Sequence, residues 1–218
     1  PSLMSQSPGF QNPFQGPIKK VIFKNGKYRQ GPKLNTPEVY GKHFILYGLT
    51  QQDLNGNGVT ETIVLDNNYH LRVYSSKGRL VVKSSDYYGH DPRLMDLGVK
   101  EEISGVIRQG EPVRFKGRLQ FAKVGGDRYL VVPMNHTLGD GLLDRLAVVE
   151  NSGLPLLRLT GEGFEKAFES SKQKGFLATF RMVPNKNGAK VYILRVDKDL
   201  VSKKVYSTFS SYNWPVKQ

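Results

Sequence analysis

The residues most able to do chemistry lie in one short run, Asp53-Leu54-Asn55-Gly56-Asn57-Gly58-Val59-Thr60-Glu61. Oxygen-bearing side chains stand at its first, third, fifth and ninth positions: Asp53, Asn55, Asn57 and Glu61. The seventh position, Val59, can add only its backbone carbonyl. Hard cations such as Ca²⁺ gather six to eight oxygens, and a loop with this spacing can curl around one. Gly56 and Gly58 suit so tight a curl, because glycine reaches left-handed backbone angles at little cost. An EF-hand is excluded, since it needs a bidentate Glu at position twelve and flanking helices. Position twelve is Val64, inside an apolar run that reads as a strand. A short calcium loop between two strands is the expectation, set against a surface turn that keeps Asn and Gly for geometry alone.

Other chemistry is sparse. The chain has no cysteine, which removes thiolate metal sites, thiol catalysis and disulfides. His43, His70, His90 and His136 are scattered, with no pair at zinc-ligand spacing. No G-x-S-x-G nucleophile elbow occurs. The run Gly139-Asp140-Gly141-Leu142-Leu143-Asp144 reads as turn chemistry. Tyr87-Tyr88-Gly89-His90 offers rings that could stack on a sugar or a base, although packed aromatics are commoner. Tyr87, Tyr88 and His90 are carried as candidate ligand-binding residues. No catalytic set is assigned, and the expectation is a protein that is not an enzyme.

The elements that must position these residues are strands. Phe44–Leu49, Thr62–Asp66, Leu71–Tyr74 and Arg79–Lys83 are short apolar runs separated by Gly-bearing turns. An apolar run, a polar turn ending in Gly and a second run recur at 21–28, 71–80 and 146–154. Asn25-Gly26 is a strong hairpin signal. Degraded versions of the 53–61 loop are expected ahead of Tyr129–Val132, where no ligand pattern remains, and of Val191–Val196, where Val183 and Val191 replace both carboxylates. Phe164–Glu169 is read as a strand. The region 87–111, with Asp91-Pro92 as a turn, is read as an irregular connection.

The stretch from Val39 to Gly89 resembles the FG-GAP (VCBS-type) repeat, a blade of integrin-α-like β-propellers, and the resemblance extends weakly over residues 17 to 208. It implies calcium held by Asp53, Asn55, Asn57, the Val59 carbonyl and Glu61. The family usually carries Asp where this chain has Asn55 and Asn57, so the resemblance implies a weakened site. It also implies an extracytoplasmic setting, periplasm or cell surface, and a protein or glycan ligand. The chain is similar to the C-terminal part of a bacterial VCBS repeat-containing protein.

The expected fold is all-β and β-propeller-like, with about three to four blades of antiparallel four-stranded sheets, or a fragment of a larger propeller. Blades are read at 17–31, 39–89, 112–160 and 176–208, with 1–16 as a linker or arm and 209–218 as a tail. The opening, Pro1 to Pro8, has no signal-peptide layout, and a missing N-terminal part or domain is expected. No apolar run is long enough for a membrane helix. Thirty-two Lys and Arg against nineteen Asp and Glu leave a formal charge of +13. That excess favours anionic partners, and an anionic polymer (nucleic acid or acidic polysaccharide) is the alternative reading. No zinc-finger, RNP or basic-helix motif accompanies the charge, which disfavours nucleic acid. Dispersed lysines also serve simply to keep strand edges apart. Clustering in space would decide between the two.

Overall fold

The computed structural model describes residues 3–6, 14, 16–34, 46–89, 94–95, 100–103, 106–109, 113–114, 117–124, 126–137, 149–186, 188–198 and 204–215. Among these, all regular structure is strand apart from one 3-10 turn at Leu46–Gly48. The all-β expectation therefore holds. A first sheet contains β1 (Met4–Gln6), β2 (Ile18–Lys24) and β3 (Lys27–Lys33). A second is a meander of β4 (Leu49–Gln52), β5 (Glu61–Leu65), β6 (Leu71–Tyr74) and β7 (Leu80–Lys83). Next come β8 (Leu94–Met95), β9 (Lys100–Ile103), β10 (Val106–Gln109) and β11 (Val113–Arg114), forming two ribbons, β8 with β11 and β9 with β10.

The rest of the chain supplies β12 (Gln120–Val124), β13 (Asp127–Val131), β14 (Met134–Thr137), β15 (Val149–Gly153) and β16 (Pro155–Leu159). It continues with β17 (Phe164–Glu169), β18 (Gln173–Lys174), β19 (Phe176–Asn185), β20 (Gly188–Lys198) and β21 (Val205–Pro215). They build a four-stranded sheet ordered β12-β13-β16-β17, a three-stranded sheet β14-β15-β18 and a three-stranded sheet β19-β20-β21. Two sheets thus have four strands, whereas the first and the last have three. Among the described residues no sheet closes into a barrel.

Strand alternation explains how these sheets face one another. Successive side chains point to opposite faces of a strand, so a strand with apolar residues at every position is buried on both sides. In β5, Ile63 and Leu65 join Leu71, Val73, Leu119, Leu130, Val132 and Leu157 in one cluster. Val64, between them, points the other way and packs with Ile18, Leu34 and Tyr74. Strand β13 repeats the device: Leu130 faces the β5 side, and Val131 faces Leu177, Phe180, Met182, Val191 and Ile193. The first sheet, the β4–β7 sheet, the β12-β13-β16-β17 sheet and the β19–β21 sheet therefore share apolar layers in chain order.

Several local expectations are corrected. The strand expected from Phe44 to Leu49 begins only at Leu49, because Leu46–Gly48 is coiled into the 3-10 turn; residues 44 and 45 lie outside the described set. No hairpin forms across Asn151–Gly153: β15 runs straight through that turn signal and pairs with β14 and β18, while β16 belongs to another sheet. The degraded loop expected before Val191 is instead ladder, with Val183↔Lys190 and Asn185↔Gly188 already paired. Strand β17 covers the expected Phe164–Glu169. Strand β21 extends to Pro215, into the segment read as a tail, and β1 lies within the segment read as a linker or arm.

Candidate functional site

The loop 53–61 joins β4 to β5, which are hydrogen-bonded neighbours with Gln52 opposite Glu61. Chain ends held this close force the intervening residues into a tight curl. Gly56 and Gly58 take φ of 83° and 82°, the left-handed region where glycine carries no Cβ penalty. The side chains then organise the backbone by short-range turns. Asp53 Oδ1 accepts the Gly56 N–H at 2.7 Å and its Oδ2 the Gly58 N–H at 3.1 Å. Asn55 Oδ1 accepts the Asn57 N–H at 3.0 Å, and Asn57 Oδ1 accepts the Val59 N–H at 2.7 Å. Two successive Asx-type turns at Asn55 and Asn57, with Asp53 bridging the Gly56 and Gly58 amides, therefore keep the oxygens of positions one, three and five folded back against the loop.

Glu61 closes the loop from below. It is 5 % exposed, and its carboxylate accepts the Leu54 N–H at 2.9 Å and the Asn55 Nδ2–H at 3.2 Å. Both donors are neutral, and among the described residues no cationic side chain pairs with it. A buried carboxylate is costly unless well hydrogen-bonded or charge-matched. Asp53 differs. Arg128, on β13 of the next sheet, sets its Nη1 2.5 Å from Asp53 Oδ2 and donates to the Asp53 carbonyl at 2.7 Å. That guanidinium holds the Asp53 carboxyl below its ordinary pKa, helped by the Gly56 and Gly58 amides and opposed by partial burial.

The donor chemistry fits a hard cation: side-chain oxygens of Asp53, Asn55, Asn57 and Glu61 with the Val59 carbonyl, and nothing soft among them. Only two carboxylates contribute, and one already carries Arg128, so any ion must displace or share with a guanidinium. Sequence reading missed Arg128. It lies 75 positions away from Asp53, and only the packing of one sheet on the next brings the two together.

A second acidic turn lies at the other end of β5 and was also missed. Asp66 Oδ1 accepts the N–H groups of Asn68 and His70, both at 2.9 Å, and its Oδ2 pairs with Arg72 Nε at 2.8 Å. The turn it braces places Tyr69 at φ 62°.

The candidate aromatic residues are separated by their environments. Tyr88 is buried in the apolar cluster, and burial, with Asp86 beside it, pushes its phenol well above the ordinary range. Tyr88 is a packing residue, because a ring so enclosed cannot stack on a ligand. Tyr87 is exposed and packs against His70 with centroids 4.5 Å apart and the rings tilted by 37°. His90, His43 and the Gly139–Asp144 run lie outside the described residues. Among the described residues no cluster of three or more His, Asp or Glu could hold a metal, and no helix is long and apolar enough to cross a membrane. Neither fact bears on a loop whose ligands are largely amides and carbonyls. Comparison with protein-family models, with curated proteins and with solved structures finds no match to this chain.

Proposed function

We propose that the chain is a non-enzymatic binding module, propeller-like in arrangement, in which loop 53–61 is a calcium-competent clip. The observation that supports this reading most directly is the buried Glu61 carboxylate, closed over a loop braced by side-chain turns and met, among the described residues, only by neutral N–H donors. A divalent cation bound there would supply the missing positive charge. The residues of the chain do the positioning: Gly56 and Gly58 allow the curl, while the Asn55 and Asn57 side-chain oxygens brace it on the Asn57 and Val59 amides. The β4–β5 pairing keeps both ends of the loop together. With two carboxylates, such a site belongs in calcium-rich surroundings, which supports an extracytoplasmic setting. The stacked sheets would present loops and ribbons to a protein or glycan ligand, or to the anionic polymer of the alternative reading.

Thermal melting of the protein in EDTA and then in millimolar calcium tests the clip, with Asp53→Ala alongside. A ligand that binds only the folded state raises its melting temperature by mass action. A calcium-dependent rise in the parent that is absent from the variant is the expected result. Identical melting in EDTA and calcium overturns the clip.

A further inference from the structure

Three charged side chains are buried among the described residues: Glu61, Asp66 and Arg195. Arg195 alone of these is a cation, and it is 4 % exposed. It lies on β20, opposite Leu177 of β19 and Thr208 of β21. Alternation along the strand puts it on the same face as Val191 and Ile193, which pack in the core with Leu154, Leu177 and Trp214. Its partners are two hydroxyls at long range: Nε donates to Ser152 Oγ at 3.2 Å and Nη1 to Ser210 Oγ at 3.4 Å. Ser152 belongs to β15, so the guanidinium sits at the seam between two sheets.

No carboxylate answers this charge among the described residues. Asp197, next on the same face of β20, pairs with Lys174 at 3.0 Å, and Glu169 pairs with Lys166 at 2.7 Å. Burial presses the Arg195 pKa below its ordinary value, yet a guanidinium does not shed its proton in a protein. A buried charge without a counter-charge is costly. The groups around it deepen the imbalance, because each has a hydrogen left to give. Ser152 and Ser210 already accept an N–H from Arg195, which leaves each its O–H to donate. The Tyr212 hydroxyl, on the same face of β21 as Ser210 and near enough to feel the guanidinium charge, is buried with no hydrogen-bond partner. One cation and three hydroxyls thus gather with donors in excess and no charged acceptor.

We infer that Arg195, Ser152, Ser210 and Tyr212 form a binding site for a small inorganic oxyanion, phosphate or sulfate, at the seam between β15 and the β19–β21 sheet. The planar guanidinium fork matches two oxygens of such an ion, and the remaining oxygens accept from the hydroxyls. A halide would balance the charge but has no set of oxygens to share among a fork and three O–H groups. An anionic polymer is too large to reach a side chain so enclosed. The bound ion would tie two sheets together through one charge-balanced network. This site is separate from loop 53–61, so its test is run in buffer stripped of divalent cations, where the fate of the calcium clip has no effect on the result.

The experiment is equilibrium dialysis of the protein against radiolabelled inorganic phosphate, with sulfate and heparin as competitors and chloride held constant. The parent should bind a single phosphate per chain with Kd on the order of 1 mM or tighter. Sulfate should compete and heparin should not. Ser152→Ala and Ser210→Ala should each weaken binding about tenfold, since each removes one hydrogen bond to a charged ligand. Arg195→Met should abolish binding. Without phosphate it should melt no lower than the parent, because an apolar side chain replaces an unbalanced buried charge. Melting is also followed as phosphate is added. Phosphate favours compact states by exclusion from protein surfaces, so the response of Arg195→Met sets the baseline, and the parent should exceed it. The two serine variants keep the test open if Arg195→Met fails to fold. The inference is overturned by absent phosphate binding in the parent, by binding that the serine and arginine variants leave unchanged (an adventitious ion only), or by displacement with heparin, which would place the ion on surface lysines.

Discussion

Two acidic turns bracket β5, and they are held by different means. At one end Asp66 is buried and meets the Asn68 and His70 amides and Arg72 on β6, three partners within its own sheet. At the other end the 53–61 loop stays partly open, draws its guanidinium from another sheet, and leaves Glu61 to neutral donors. A guanidinium from the neighbouring strand of the same sheet makes the first a fixed brace. The second depends on a neighbour and has charge capacity to spare, which is what an exchangeable cation requires.

The sharpest way to break this contrast is to remove the fixed brace. Asp66→Ala should lower stability by about 3 kcal/mol, since a buried acceptor of three donors disappears and Arg72 loses its carboxylate. Calcium should not alter that loss, as read by urea unfolding in EDTA and in calcium. Glu61→Gln should cost less, about 1 kcal/mol in EDTA, because an amide still accepts the Leu54 N–H but meets Asn55 Nδ2 with a second donor. The same change should abolish any calcium-dependent gain in melting temperature. A Glu61→Gln protein that keeps a full calcium response would remove Glu61 from the clip.

The smallest effect should come from acid. The folded-state pKa of Asp53 is lowered, chiefly by its bond to Arg128. Its contribution is therefore present above the unfolded carboxyl value and is lost as pH falls through the lower folded value, mostly below about pH 4. Arg128→Gln should shrink that acid-sensitive part, visible as a flatter dependence of the urea midpoint on pH. The same variant frees Asp53 from its guanidinium and should increase the melting shift produced by calcium. A smaller shift would mean that Arg128 supports the ion instead of competing with it.

Much of the fold was legible because its signals are local. Asn25-Gly26 set a hairpin, and the apolar runs at 62–65, 71–74 and 80–83 became β5, β6 and β7. The same local logic failed at Asn151–Gly153, where a good turn signal was overridden by pairing of β15 with β14 and β18. It failed again at 183–188, where a ladder continued through residues aligned as a loop. The candidate site was half legible. Spacing along the chain located Asp53, Asn55, Asn57, Val59 and Glu61, but Arg128 reaches them only through the packing of two sheets. The basic residues from Lys19 to Lys33 were visible as letters. That most of them stand exposed on the β2–β3 hairpin was not, because exposure depends on which strand faces a neighbouring sheet opposes.

One topological detail bears on how the chain reaches this state. Strands β13 and β16 are adjacent in their sheet, with Leu130 opposite Leu157 and Val131 opposite Leu156, yet the chain leaves to build β14 and β15 between them. The pairs β12–β13 and β16–β17 join strands that follow directly in sequence, and hairpins of this kind form within about 1–10 μs. Their union must wait for the excursion between them to close, with the entropy cost of a long loop. Assembly should therefore run from ready-made halves to a late seam, and the seam is where register errors would accumulate. Substitutions at Leu130 or Leu157 should slow folding as well as weaken the product, since their contacts span the slowest step of the central sheet.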